Sequence, residues 1–396
     1  MKNNFLHSIK ICLPVFLAVA ALNFARAQNE INIEQQINVL GQTKPIPVSL
    51  EGFSGEVSTA LKFDLYVQGF SFVAPDAAQY QISGSDAGNV TGSVSDKFAK
   101  KTILSRSYTG ASLRRQAHAF ADDIVLAVTG KKGIAQTKIA FKVEATGGNG
   151  EIYVSDFDGH NALAVTHDNT IVAAPAWVPG KLAVYYTSYK LGNPDIFYHS
   201  LSTGQRHVIA GFSGLNTSAA VSPDGTKVAM ILSKSGSPDV WVCDADGSNL
   251  KQLTHTPEDE SSPCWSPDGK WICFATKIHE RRVLAKIPAD GGEIERIATP
   301  GAPNPTEPDW SPDGKWIAFT SQTGEFDICV VPADGSGSPV TLVPGQHPSW
   351  SPNSRTLVYN HAVNYRQLLY VLDVFTKQHK YAQRVAGDDS EPAWAK

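Results

Sequence analysis

Trp265-Ser266-Pro267-Asp268-Gly269-Lys270-Trp271 returns almost unchanged as Trp310-Ser311-Pro312-Asp313-Gly314-Lys315-Trp316. Weaker copies are Trp177-Val178-Pro179-Gly180-Lys181, Val221-Ser222-Pro223-Asp224-Gly225 and Trp350-Ser351-Pro352-Asn353, and a partial one is Glu391-Pro392-Ala393-Trp394. The anchors at 177, 221, 265, 310, 350 and 394 are spaced by 44, 44, 45, 40 and 44 residues. A repeat of about 40–45 residues is the four-stranded blade of a β-propeller.

The copy at Trp310 shows why the unit makes a blade. Glu307-Pro308-Asp309-Trp310 reads as a short first strand whose proline needs no ladder amide if it faces a channel. Pro312-Asp313-Gly314 is a tight turn, with φ preset by Pro and positive φ accepted by Gly. Trp316 to Thr320, Phe326 to Val331 and Val340 to Val343 read as the second, third and fourth strands, separated by Gly324-Glu325 and Asp334-Gly335. Residues 137–166 hold three strands of the same kind, but no Pro-x-Trp strand precedes them. The orphan Pro392-Ala393-Trp394 is expected to supply it, which closes the ring and removes its open edge. The expected fold is a small N-terminal α/β domain at 46–135 followed by a six-bladed β-propeller at 136–396, closed by the C-terminal strand.

Working outward, residues 1–27 read as a secretory signal: Lys2 and Lys10, an apolar run from Ile11 to Leu22, then Ala25-Arg26-Ala27. The run is too short to span a bilayer comfortably. The mature chain is expected to start at Gln28 in the periplasm. Without Lys2, Lys10 and Arg26 it carries 31 Lys and Arg against 38 Asp and Glu, a net charge of −7. That balance lacks the basic footprint of a nucleic-acid binder. Residues 28–45 form an extended segment in which Ile31, Ile33, Ile37 and Val39 alternate with polar residues.

Between 46 and 135, Glu56 to Gln68 carries Val57, Ala60, Leu61 and Leu65 at helical spacing, with Gly69 as its stop. Val48–Leu50, Phe70–Val73, Gln79–Ser83, Asn89–Ser95 and Lys101–Tyr108 read as strands. Ala111 to Thr129 is the best helix, with Leu113, Ala117, Phe120, Ala121, Ile124 and Val128 on one face and Gly130 after it.

The sequence offers no catalytic constellation. There is no Gly-x-Ser-x-Gly elbow, no His-Glu-x-x-His, and no Gly-rich loop before a helix. The Asp-x-Asp-Gly runs at 156–159 and 244–247 lack the distal Glu of a calcium loop and read as hairpin turns. Asp122-Asp123 read as a solvated helix face. No cofactor and no metal is expected. Cys264 and Cys273 flank one strand-turn-strand, which leaves both a pairing and two buried thiols open. A ring of loops without catalytic groups is a binding surface. The loops entering the first strands, at 172–174, 216–218, 260–262, 306–307, 346–347 and 390–391, should line one mouth, with Leu215, Asn216, Ser261, Ser262, Glu307, His347 and Glu391 as the candidate partner-binding residues.

The order of parts, with Leu126-Ala127-Val128-Thr129-Gly130-Lys131-Lys132-Gly133, Lys138-Ile139-Ala140-Phe141 and Val154-Ser155-Asp156-Phe157-Asp158-Gly159-His160-Asn161 at the junction, resembles the TolB family of Tol-Pal envelope propellers. The resemblance covers nearly all of residues 30–396 and is weakest between Pro75 and Ser107. It implies a non-enzymatic scaffold that binds a Pal-like peptidoglycan-associated lipoprotein at the mouth. It also implies contact between the mature N-terminus, here Glu30, Ile31 and Ile33, and a TolA-like inner-membrane protein, in support of outer-membrane constriction at cell division and of envelope integrity. By repeat alignment Leu215 stands where the family's mouth carries a His that matters to the lipoprotein partner. Two rival readings are a secreted propeller binding module unrelated to Tol, and a propeller-type enzyme or its accessory domain.

Overall fold

The structure, a computed structural model, describes residues 39–396 apart from 111, 146, 383 and 384. The signal expected over 1–27 and the partner segment at Glu30, Ile31 and Ile33 lie outside the described residues. No helix among the described residues is long and apolar enough to cross a membrane.

The small domain runs β1 (Ile46–Glu51), α1 (Gly55–Tyr66), β2 (Phe70–Phe72), β3 (Tyr80–Ser85), β4 (Thr91–Asp96), β5 (Lys101–Ser107) and α2 (Leu113–Thr129). Its sheet has the order β2-β1-β3-β4-β5, with β1 parallel to both neighbours and the remaining pairs antiparallel. The Ser112 side chain caps α2 by accepting the Arg115 N–H at 3.2 Å, and Gly130 ends it at φ +71°. The first helix stops two residues before the sequence suggested, at Tyr66, and the Gly69 N–H closes back on the Tyr66 carbonyl at 3.2 Å.

Six four-stranded sheets follow. Blade 1 contains β6 (Lys138–Glu144), β7 (Gly150–Asp156) and β8 (Leu163–Ala164), and its innermost strand is Asp388–Trp394, antiparallel to β6 with Trp394 opposite Ile139. The ring therefore closes as the orphan Pro-Ala-Trp predicts. The Trp394 side chain is fully buried and its indole donates to Thr137 Oγ1 at 2.8 Å. The other innermost strands are Val172–Trp177, Asn216–Val221, Ser261–Trp265, Thr306–Trp310 and Gln346–Trp350.

The repeated signature now has a physical content. Ser266 Oγ donates to Asp268 Oδ1 at 2.6 Å and accepts the Trp271 N–H at 2.9 Å; Ser311 does the same with Asp313 and Trp316 at 2.7 and 3.0 Å. Gly269 and Gly314 stand at φ +70° and +76°, the left-handed region that closes this turn without a Cβ clash. Three of the signature tryptophans tie blade to blade. Trp265, Trp350 and Trp177 donate to the carbonyls of Ala220, Asp309 and Ala393 on the preceding blade, at 2.9, 3.1 and 3.1 Å. The last of these ties blade 2 to the C-terminal strand that closes blade 1.

The small domain and the ring share one core. Val48, Leu61, Phe120 and Ile124 belong to the same buried cluster as Phe141, Phe157 and Trp394 of blade 1 and Val358 and Val371 of blade 6. Residues 39–45 begin in a turn packed on blade 6, where Leu40 is buried and the Gly41 N–H meets the Val374 carbonyl at 2.9 Å. Cys264 faces Cys273 directly across two strands. Both are buried free thiols, and the Cys273 neighbour together with burial pushes the Cys264 thiol well above its ordinary range.

Asp122 and Asp123 are not a solvated face. Asp122 accepts the Ala135 N–H at 2.7 Å and Gln136 Nε2 at 3.0 Å, and so anchors the linker; burial raises its carboxyl pKa. Asp123 accepts Arg106 Nη1 and the Tyr108 hydroxyl at 2.6 and 2.7 Å. Asp122 thus holds the segment after the helix and Asp123 the strand before it, partners that a one-dimensional pattern does not show.

Candidate binding site at the channel mouth

Every innermost strand carries the same irregularity at the same place. Ala174, Ser218, Ser262, Glu307, His347 and Glu391 all have φ between +49° and +56°. At each, the pairing register slips so that two residues oppose one on the second strand, as in a β-bulge. Five of the six precede proline, which already restricts the backbone of the residue before it. A left-handed side-chain-bearing residue is held at a cost of about 1–3 kcal/mol by its surroundings. Six such positions around one axis constitute a built feature of the ring.

These six residues, with Pro175, Pro263, Pro308, Pro348 and Pro392, line one cavity of about 550 Å³ that runs along the channel toward the signature turns. The wall is asymmetric. Ala174, Ser218 and Ser262 form a small-residue side, whereas Glu307, His347 and Glu391 form a side of larger polar groups. Glu307 Oε2 accepts the Thr320 hydroxyl at 2.6 Å and the His347 N–H at 2.9 Å, while its Oε1 stands 3.0 Å from His347 Nε2. Glu391 Oε2 accepts the Ala174 N–H at 2.6 Å, and Oε1 is 3.7 Å from Lys142 Nζ. Each carboxylate thus holds the left-handed amide of the next blade. His347 Nδ1 is buried and has no partner among the described residues.

Of the residues expected at the mouth, Ser262, Glu307, His347 and Glu391 meet in this cavity, and Leu215, Asn216 and Ser261 are not in its lining. Asn216 is fully buried, and its amide is taken up by the Phe212 N–H and carbonyl and the Pro194 carbonyl at 3.0, 2.7 and 3.0 Å. Leu215 packs against the core between blades 3 and 4. Ala174 and Ser218 belong to the lining, as expected of the loops at 172–174 and 216–218, although neither stands among the candidate contact residues, because a small residue before a strand carries no chemical signal.

A second polar cluster lies beneath the small domain. Asp64, His118 and Asp158 are buried and bring ligand-type atoms within 4.8 Å of one another. Arg114 Nη2 bonds to Asp158 Oδ2, so the positive charge of this site belongs to the chain itself. Sequence reading took Asp158 only as part of a hairpin turn and passed over Asp64 and His118. The one signal was Asp64, which sits three and four residues after Leu61 and Ala60 on an otherwise apolar helix face.

A family model described as "TolB beta propeller domain" matches residues 125–396. The Tol-Pal system protein TolB of Bordetella pertussis is 31% identical over 188 residues, which are 47% of this chain and 43% of that protein. The matched stretch thus spans less than half the length of that relative. The crystal structure of TolB from Acinetobacter baumannii superimposes with a TM-score of 0.80 over 90% of this chain and 98% of that one, at 21% identity. A chain of the Nidogen/Laminin complex gives a TM-score of 0.55 over 66% of this chain and 98% of its own, at 14% identity, a likeness of fold alone.

Proposed function

The chain belongs to the TolB β-propeller family, and from that premise we propose that it is a non-catalytic periplasmic scaffold of a Tol-Pal-type system. In this reading the channel mouth binds a Pal-like peptidoglycan-associated lipoprotein. Residues 28–40 are read by a TolA-like inner-membrane protein, and the assembly supports outer-membrane constriction and integrity. The observation that carries the mouth assignment is the ring of six left-handed residues around one cavity, with a small-residue wall facing a polar one. A wall of Ala and Ser admits a protruding segment of a partner, and Glu307, His347 and Glu391 offer it charge and hydrogen bonds. Binding through a few central contacts is the usual economy of such interfaces.

Glu307 and Glu391 also hold backbone amides, so glutamine is the cleaner replacement: it keeps an acceptor and removes the charge. The variant E307Q/H347Q/E391Q should bind the lipoprotein's soluble domain more than ten-fold more weakly, about 1.4 kcal/mol, in titration calorimetry. Ser262→Arg, which fills the opposite wall, should do the same. Unchanged affinity in both would move the partner off this face. Deletion of 28–38 tests the second contact and leaves buried Leu40 in place; a TolA-type complex that survives it would end that assignment.

A further inference from the structure

The small domain is joined to blade 1 by charge as well as by the shared apolar core. Asp64 comes from α1, Arg114 and His118 from α2, and Asp158 from the turn after β7. Their side chains are only 0–9% exposed. His118 Nδ1 lies 2.7 Å from Asp64 Oδ2, and Nε2 lies 3.7 Å from Asp158 Oδ2. Arg114 Nη2 bonds to Asp158 Oδ2 and stands 2.7 Å from His160 Nδ1. His118 Nε2 and Asp64 Oδ1 have no hydrogen-bond partner among the described residues. The His118 ring also packs edge-on against Phe157, which in turn lies against Trp394 of the closing strand.

Two carboxylates buried against one permanent cation leave an unbalanced negative charge, which a low-dielectric interior penalises. A doubly protonated His118 supplies the second positive charge and points one N–H at each carboxylate. We propose that Asp64, Arg114, His118 and Asp158 form a proton-dependent latch between the small domain and the propeller, closed when His118 carries both ring protons.

The remaining charges around the imidazole agree with this. Glu56 of α1 stands 3.7 Å from Arg114 Nη1 at the exposed rim. Asp122 of α2 adds negative charge. From the blade come His160 and Asp156, the latter tied to Lys138 at 2.9 Å. Burial raises the Asp64 carboxyl to about 7, against the pull of the His118 bond. Burial works against the His118 imidazolium, but Asp64 and Asp158 together hold it above its ordinary value. The hydrogen-bonded Asp64–His118 pair therefore shares one proton and holds it more tightly folded than unfolded. Its contribution is complete below the unfolded imidazole value and is lost as pH rises through the higher folded one, so the latch loosens as the solution becomes alkaline. A divalent ion in the same place would have to sit against the Arg114 guanidinium.

The test is thermal unfolding of the full chain and of His118→Gln from about pH 6 to about pH 9, together with hydrogen exchange of the unsubstituted chain corrected for intrinsic pH dependence. The unsubstituted protein should lose several degrees of melting temperature across this range, and H118Q should show a flatter profile. Exchange at the alkaline end should quicken in α2 and the 156–160 turn while Trp316–Gln322 stays protected. Parallel melting profiles for the two proteins would overturn the proposal. If H118Q does not fold, the exchange measurement decides alone, and opening spread evenly over all blades would overturn it. Micromolar zinc that raises the melting temperature of the unsubstituted chain but not of H118Q would also overturn it, in favour of an ion site.

Discussion

Glu307 in the channel and Asp158 beneath the small domain are both acceptors for groups on a neighbouring element, but their settings differ. Glu307 is 22% exposed at a water-facing cavity and holds a backbone amide. Asp158 is 2% exposed and holds a guanidinium. The channel position is one of six related by the repeat, each made by the same bulge. The turn that carries Asp158 also recurs, but its counterparts Asp246, Asp290 and Asp334 are exposed, whereas charge at Asp158 has no solvent to relax into. The ring spreads its polar bonds over many modest contacts, whereas the domain junction concentrates them in one place. Perturbation should therefore be absorbed in the first region and felt in the second.

The seam of the ring, where the two regions meet, should show the largest effect. Deleting residues 388–396 removes Trp394 from the core and opens the edge of β6. Trp394→Ala alone should destabilise by about 3–5 kcal/mol, and the deletion by more, in urea or thermal unfolding. A truncated chain that melts with the full one would refute the closure. Next comes Arg114→Met, which leaves Asp158 buried without its cation and should destabilise by about 3–5 kcal/mol in urea unfolding. Adding Asp158→Asn should recover part of that loss. In the channel, Glu307→Ala strips the acceptor from the His347 amide and should be milder, about 1–3 kcal/mol, with Glu307→Gln close to the parent. An effect as large as that of Arg114→Met would erase the contrast. The smallest effect is expected at the same arginine's outer partner: Glu56→Gln should change stability by no more than about 0.5 kcal/mol, because that carboxylate is 58% exposed.

The same contrast explains what the sequence disclosed. Trp265, Trp310 and their copies announce themselves because five of the six blades end the innermost strand in an indole, with Val221 in the remaining one, and a physical need repeated around the ring becomes a pattern. The closing strand was legible for that reason: Trp394 had the signature but no blade of its own. Glu307, His347 and Glu391 were found through the prolines that follow them. Ala174 and Ser218 were placed in the mouth loops but not as contact residues, since the bulge is a backbone event that small residues mark only in three dimensions. Asn216 looked like a mouth residue, yet its amide is consumed within its own loop. Arg114 and His118 gave no signal, and Asp158 read only as part of a hairpin turn, because their partners lie on other elements, 54 residues away for the Asp64–His118 pair.

Blade 1 cannot be finished early. Trp394 pairs with Ile139, and Phe157 and the small-domain core pack around that pair. Until residues 388–394 have been synthesised, β6 presents an unpaired edge and the shared core lacks its largest side chain. Contacts this distant along the chain are slow to form. The order of synthesis therefore delays the last cooperative step of folding until the closing strand has emerged, and a nascent molecule stays open until then. Such a molecule needs protection from edge-to-edge association in the meantime.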